Sequence, residues 1–390
     1  MSNKVGLAIT TYTHNYGSFL QSYALVETIK HLGYEPEVIS TNGVQTLIGA
    51  ARKKYFLKRM FNLSELRSYT IMFKGIAMKI VNKTYARNQA IRGKAFDRFR
   101  DKYFKFSPVK NSWGEVGEMC RDYCAVVVGS DQLWRPANIE GGYFTLEFVP
   151  DDINKVAYAP SFGIPRLERP QAEKAKHFIP RLNHIGVREE RGAEIVKELT
   201  GIEVPVVCDP TLLFTKDDWD ACVGERLIKD DYVLTYFIGD HEDYLKFAKR
   251  LGDYWGVKVV GIVHIDGYNS NISKYIDEEP YDIDPFQFVN LVKNAKCVLT
   301  DSFHCSVFSI QFEKEFFAFK RFSDNNTMST NNRLFTLFNM AGIENRILSG
   351  KEAITEKIFA PIDYNKVREN LQIKREFSLT YLKNALANKE

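Results

Sequence analysis

The sequence predicts an α/β protein of two Rossmann-like lobes, each a parallel sheet covered by helices, facing each other across a cleft. Short β-branched runs alternate with helical patterns along nearly the whole chain, and that alternation buries strands on both faces, as parallel sheets require. The length, 390 residues, also exceeds what one hydrophobic core ordinarily holds, which favours two domains.

Strands are expected at Val5 to Thr10, Glu37 to Ser40, Cys124 to Val128, Lys155 to Ala159, His184 to Arg188 and Val204 to Cys208. After a polar stretch (Thr215 to Asp218) and a charged one (Glu225 to Asp231), four more follow at Tyr232 to Ile238, Val257 to Val263, Cys297 to Thr300 and Phe316 to Phe319. We therefore expect a first lobe over 1–215, a second over 216–365 and a helical tail over 366–390. Within the first lobe, residues 51–110 carry 17 Lys/Arg against the acids Glu65, Asp97 and Asp101, a net +14 in a chain of net charge +4. This window reads as a basic helical insertion, and Tyr69 to Val81 within it has the alternation of an amphipathic surface helix.

Composition excludes several classes. With 45% hydrophobic and 26% charged residues the chain is not disordered, and no apolar run reaches the roughly 18 residues of a membrane span. A strand begins almost at once, without a signal-peptide core, so a cytoplasmic location is expected. Six cysteines lack the paired spacing of a zinc site, and buried reduced thiols are expected. GxxxxGK[ST], GxGxxG and HExxH motifs are lacking; Asp282-Ile283-Asp284 spells a D-x-D, but Pro285 follows, so Asp284 reads as a helix cap.

In open α/β sheets chemistry sits just beyond the strand ends. After the first strand, Asn15-Tyr16-Gly17-Ser18 leads into an apolar-periodic helix that Ser18 could cap, with Gln21 alongside. After the third, Gly129-Ser130-Asp131-Gln132-Leu133-Trp134 sets a hydroxyl, a carboxylate and an amide where packing does not need them; Trp134 suits a sugar platform or the core equally. Arg188, closing its strand, offers a guanidinium fork to a carboxylate or phosphate, or an ion pair to Glu189 or Glu190. After Thr300, Asp301-Ser302-Phe303-His304 reads as a cap and a first helical turn, where anions are favoured. Arg333, opening a later amphipathic helix, is a weaker anion-binding candidate of the same kind.

At these positions the chain resembles the polysaccharide pyruvyl transferase family. The matching pieces are Asn15-Tyr16-Gly17-x-x-Leu20-Gln21-x-Tyr23-Ala24-Leu25, Gly129 to Trp134, Ser161-Phe162-Gly163, Val187-Arg188-Glu189, Asp209-Pro210-Thr211-Leu212-Leu213 and Thr300-Asp301-Ser302-Phe303-His304-x-x-x-Phe308-Ser309, in order over about residues 5–345. The resemblance implies a GT-B arrangement of the two lobes, phosphoenolpyruvate as co-substrate, a sugar acceptor that receives a pyruvate ketal, and no metal or other cofactor. It departs where family members carry Arg-Leu-His, since this chain has Ser302-Phe303-His304, and Cys305 stands where glycine is usual. One expected cation is missing, to be replaced by Arg188, Arg333, Lys320 or Arg321 unless the donor differs.

On that resemblance His304 is the expected general acid, Ser302 and Arg188 (with Arg333) the donor clamp, and Asp131 or Asp301 the base. Asn15, Gln21, Ser130 and Asp131 are expected on the acceptor. The alternatives are a GT-B glycosyltransferase using a nucleotide sugar and a non-catalytic sugar-binding relative. The acceptor class, capsule or exopolysaccharide, is often lipid-linked, so the basic window is expected to meet either an anionic inner membrane face or acidic protein surface rather than nucleic acid.

Overall fold

A computed structural model describes residues 2–59, 77–263, 274–322 and 331–388. Strands β1 (Lys4–Ala8), β2 (Glu35–Val38), β3 (Ala125–Val128), β4 (Asn154–Tyr158) and β5 (His184–Gly186) form one parallel sheet in the order β2-β1-β3-β4-β5. Strands β6 (Tyr232–Tyr236), β7 (Lys258–Gly261), β8 (Cys297–Thr300), β9 (Glu315–Phe319) and β10 (Ile347–Leu348) form a second, in the order β10-β9-β8-β6-β7. Taken from its β7 edge, the second sheet repeats the winding of the first. Each lobe therefore reverses direction once, between β1 and β3 and between β6 and β8, and ligands bind at such reversals.

The helices are α1 (Tyr16–His31), α2 (Gln45–Arg59), α3 (Lys83–Tyr103), α4 (Trp113–Met119), α5 (Pro136–Gly141), α6 (Arg169–Phe178), α7 (Glu190–Thr200), α8 (Lys216–Val223), α9 (Glu242–Trp255), α10 (Pro285–Asn294), α11 (Phe303–Gln311), α12 (Asn332–Ala341) and α13 (Tyr364–Leu386). Their starts follow from local chemistry. Asp284 caps α10 ahead of Pro285 and closes a reciprocal capping box with Gln287, so the D-x-D spelling is a helix start. The seam expected near residue 216 falls at the first residue of α8, which Thr215 caps.

Two expectations are corrected. Val204 to Cys208 is not a strand: only Val206 bridges to Val187, Pro205 has no N–H to give, and the Cys208 N–H goes to Ser378 Oγ on α13. With β10 found in the second lobe, the lobes hold five strands each rather than six and four. Ser18 does not cap α1: Asn15 does, accepting the Ser18 N–H, which frees the Ser18 hydroxyl for the site.

The lobes meet through aromatic packing. Tyr16 of α1 stacks on Phe288 of α10 at 4.6 Å, and Phe286 lies 5.0 Å from Tyr23 and 4.8 Å from Phe99 of α3. Such pairs contribute about 0.5–1.5 kcal/mol each beyond the area they bury. Part of the basic window serves this contact: Arg92 of α3, buried, donates to the Val263 carbonyl and lies 5.0 Å from the Tyr281 ring, while Arg98 pairs with Asp282 at 2.7 Å. Helix α3 is thus a brace between lobes. Helix α2 has no buried residue. Of the expected surface helix Tyr69 to Val81, residues 69–76 lie outside the described residues; Ala77 to Val81 is helical, with Ile80 and Val81 exposed. Helix α13 returns to the first lobe, where Tyr381 donates to the Ala157 carbonyl. Among the described residues no helix is long and apolar enough to cross a membrane.

Candidate active site

The loops beyond β3, β5 and β8 converge on the start of α1. At β3, Asp131 adopts φ +80°, a left-handed conformation that costs a non-glycine residue about 1–3 kcal/mol. It is held there by its carbonyl, which accepts the N–H groups of Leu133 and Ser161, both at 2.8 Å. The twist aims its carboxylate at the Ser18 hydroxyl, 2.6 Å away on α1, and at Arg188 Nη2, 3.7 Å away. Burial raises the Asp131 pKa, but Arg188, His304 and the Ser18 hydrogen bond outweigh it, and the carboxyl is held below its usual range.

Arg188 lies two residues past β5, its side chain 3% exposed. Its Nη1 donates to Asp209 Oδ2 at 2.9 Å, its Nε stands 3.5 Å from Glu189 Oε2, and its guanidinium lies 4.8 Å from the Phe303 ring. Glu189 is fixed in turn by the Ser161 hydroxyl. Burial works against the Arg188 charge, yet the carboxylates of Asp209, Glu189 and Asp131 raise its pKa.

On the second lobe, Ser302 caps α11 by accepting the Cys305 N–H, and His304 follows on the first turn as the sequence predicts. His304 packs edge-on to Phe303 and against Gly17, with its Nε2 3.5 Å from Asp209 Oδ2. Arg333 of α12 is buried, its guanidinium 5.9 Å from the Phe303 ring. Burial and the charges of Arg188 and Arg321 bring its pKa down to about 9. Arg321 donates to the Asp301 carbonyl at 3.1 Å. Three guanidiniums thus share one buried region with several carboxylates, and it is the charge of Arg333, disfavoured by burial and by the other two guanidiniums, that an anion would relieve. A cavity of about 370 Å³ opens beside Arg188, Asp209, Phe303 and Arg333.

Buried polar atoms normally find partners. Here Arg188 Nε and Nη2, Glu189 Oε2, His304 Nε2 and Arg321 Nε make no hydrogen bond. They gather at one place.

Residues 15–321 match the polysaccharide pyruvyl transferases, and the order of the motifs agrees with the geometry just described. The chain belongs to the polysaccharide pyruvyl transferase family. It is therefore a member of a transferase family. Among solved structures, a UDP-N-acetylglucosamine 2-epimerase is similar at TM-score 0.51 and 11% identity, covering 95% of this chain and 90% of that one, which shows the shared two-lobed fold. The UDP-GlcNAc 2-epimerase of Neisseria meningitidis (TM-score 0.47, 10% identity, 98% and 96% covered) and MurG of Acinetobacter baumannii (0.43, 8%, 99% and 97%) are also similar. No curated protein matches the chain.

Within this pyruvyl transferase family member, the sequence-predicted residues divide. Asp131, Arg188, Ser302, His304 and Arg333 come together. Asp301 lies beside them, but its two carboxylate oxygens accept the N–H groups of Ile238 and Gly239, each at 2.7 Å, so it ties the β6 loop to α11. Ser130 donates to Asp209 at 2.9 Å, within the same cluster. Gln21 is buried one turn along α1, its amide donating to the Ser18 carbonyl and the Ser22 hydroxyl, and Asn15 spends its side chain on the cap. Trp134 is core, fully buried with its indole N–H on the Phe144 carbonyl. Cys305 is also buried, and burial pushes its thiol up to about 12, which leaves it inert. Of the candidates for the missing cation, Arg188, Arg321 and Arg333 reach the cluster, whereas Lys320 lies over the Phe335 ring. Asp209, the residue most of these contacts share, was singled out by sequence only as part of a motif. Among the described residues no group of three or more His, Cys, Asp or Glu is placed to hold a metal ion.

Proposed function

We propose that this transferase forms a pyruvate ketal on a sugar, taking the pyruvyl group from phosphoenolpyruvate. The observation that carries the reading is that buried nitrogens of Arg188, Arg321 and His304 make no hydrogen bond and only ion-pair contacts of 3.5 to 3.7 Å, in a region of three guanidiniums. A small ligand with both a phosphate and a carboxylate answers that arrangement, and the guanidinium fork suits either group.

In this reading His304 transfers its proton to the vinyl CH2 of the enol phosphate, leaving cationic character at the adjacent carbon. A sugar hydroxyl bonds to that carbon and its proton passes to Asp131. The hydroxyl becomes strongly acidic as its oxygen joins a cationic centre, so a carboxylate with a depressed pKa suffices as base. A second hydroxyl then displaces inorganic phosphate, its proton returning to the now neutral His304, and the three arginines accommodate the charge that departs. Asp301, bound to backbone through both oxygens, acts on placement instead. Ser18 and the carboxylate of Asp131, on the first lobe, face the acceptor.

The test is product identity. Incubation with phosphoenolpyruvate and a sugar acceptor is expected to release phosphate and leave an acid-labile ketal on the glycan. Release of a nucleoside diphosphate from a nucleotide sugar, with phosphoenolpyruvate inert, would replace this reading with that of a glycosyltransferase.

A further inference from the structure

Asp209 is buried, with no exposed surface on its side chain. Its Oδ1 accepts the Thr211 N–H at 3.0 Å and the Thr211 hydroxyl at 2.7 Å, which fixes the plane of the carboxylate. Its Oδ2 accepts from Ser130 and from Arg188 Nη1, both at 2.9 Å, and stands 3.5 Å from His304 Nε2. One oxygen therefore faces the proposed acid and the proposed donor clamp together.

The surroundings of His304 make that carboxylate consequential. The ring sits on the first turn of α11 and against Gly17 in the first turn of α1, and both helix starts disfavour a cation. Arg188 from the first lobe and, across the Phe303 ring, Arg333 from α12 disfavour it too. Asp301, three residues back, is committed to backbone N–H groups, as is the Ser302 side chain. The negative groups left facing the ring are Asp209 and, farther off, Asp131, which shares its charge with Ser18 and Arg188.

We propose that Asp209 is a positioning residue that holds the His304 ring and at the same time aims Arg188, so that the acid and the donor clamp depend on one carboxylate. As a role in catalysis this rests on the pyruvyl transfer proposed above. The placement of the ring that it predicts does not.

The experiment compares Asp209→Asn and Asp209→Glu with the wild type in the full chain, by the NMR resonances of the His304 ring, assigned by their absence in His304→Gln, and by steady-state phosphate release. In a folded Asp209→Asn the His304 ring resonances are expected to move, and kcat and the KM for phosphoenolpyruvate are expected to worsen together, each by about tenfold or more, because the acid and the clamp lose the same carboxylate. Asp209→Glu, which keeps the charge, is expected to recover part of both. Unchanged ring resonances in a folded Asp209→Asn overturn the proposal, as does a loss confined to kcat or to KM. If the ring resonances move but no pyruvyl transfer exists, the functional reading fails and the role of Asp209 toward His304 stands.

Discussion

Gly17 and His304 belong to different lobes, yet a Cβ built on Gly17 would lie 2.0 Å from His304 Nδ1. The imidazole occupies the space that a side chain at position 17 would fill. The Asn-Tyr-Gly at the start of α1 is thus a steric condition on the second lobe.

Gly17→Ala should therefore damage both activity and stability, since the new Cβ would meet the buried His304 ring and its Cβ at 2.0 to 2.8 Å. The histidine must move, and displacements on the order of 1 Å in a reacting group cost roughly 100-fold. We expect a loss of that order in kcat with a lowered Tm and a retained cooperative transition, measured by phosphate release and thermal melting. Wild-type turnover would show that the ring position is immaterial.

His304→Ala should remove pyruvyl transfer, with a loss of about 10²–10⁴-fold if the residue is the general acid. The cooperative melting transition is expected to persist. Its disappearance would mark His304 as a core residue instead.

Arg188→Lys should weaken the donor and leave the acceptor alone. One guanidinium nitrogen already serves Asp209, while Nε and Nη2 make no hydrogen bond, and an ammonium cannot supply both sets of bonds. A charged hydrogen bond is worth about 1.5–3 kcal/mol, so KM for phosphoenolpyruvate should rise by roughly tenfold or more. A rise confined to the acceptor KM would contradict the assignment.

The depressed Arg333 predicts a pH dependence. Below its pKa of about 9 the guanidinium is charged and available to the donor, and the charge is lost as pH rises through that value. The kcat/KM for phosphoenolpyruvate should decline above about pH 9, and Arg333→Met should lower it throughout and abolish that limb. Retention of the limb in the variant would assign it to another group.

Helix α2 exposes Leu47, Phe56 and Leu57 on a segment that also carries Lys53, Lys54 and Lys58. We propose that this helix meets anionic lipid, which predicts co-sedimentation with anionic vesicles that weakens in salt and on charge reversal at the three lysines. Equal sedimentation with neutral vesicles, or none with either, refutes it.

Periodicity and capping are local, and whatever depended on them was legible in the sequence. The apolar runs at Ala125–Val128 and Cys297–Thr300 are strands, Asp284-Pro285 starts a helix, and His304 stands on the first turn after a Ser302 cap. Val204 to Cys208 has the same apolar look as a strand. Its pairing stops at the one bridge to Val187 because of Pro205 and of a serine on α13, 170 residues distant from Cys208. Likewise, nothing in the neighbourhood of Trp134 told core from platform, and nothing in the charge of α3 told a brace between lobes from a free basic face. Asp209 shows the limit most clearly. Its carboxylate is bound by Ser130, Arg188 and Thr211 and faced by His304, groups brought to it by separate loops of two sheets. A sequence reports which residues share a turn of helix or a strand end. Only the tertiary structure decides which strand ends meet, because that depends on how the two sheets pack against the aromatic seam between them.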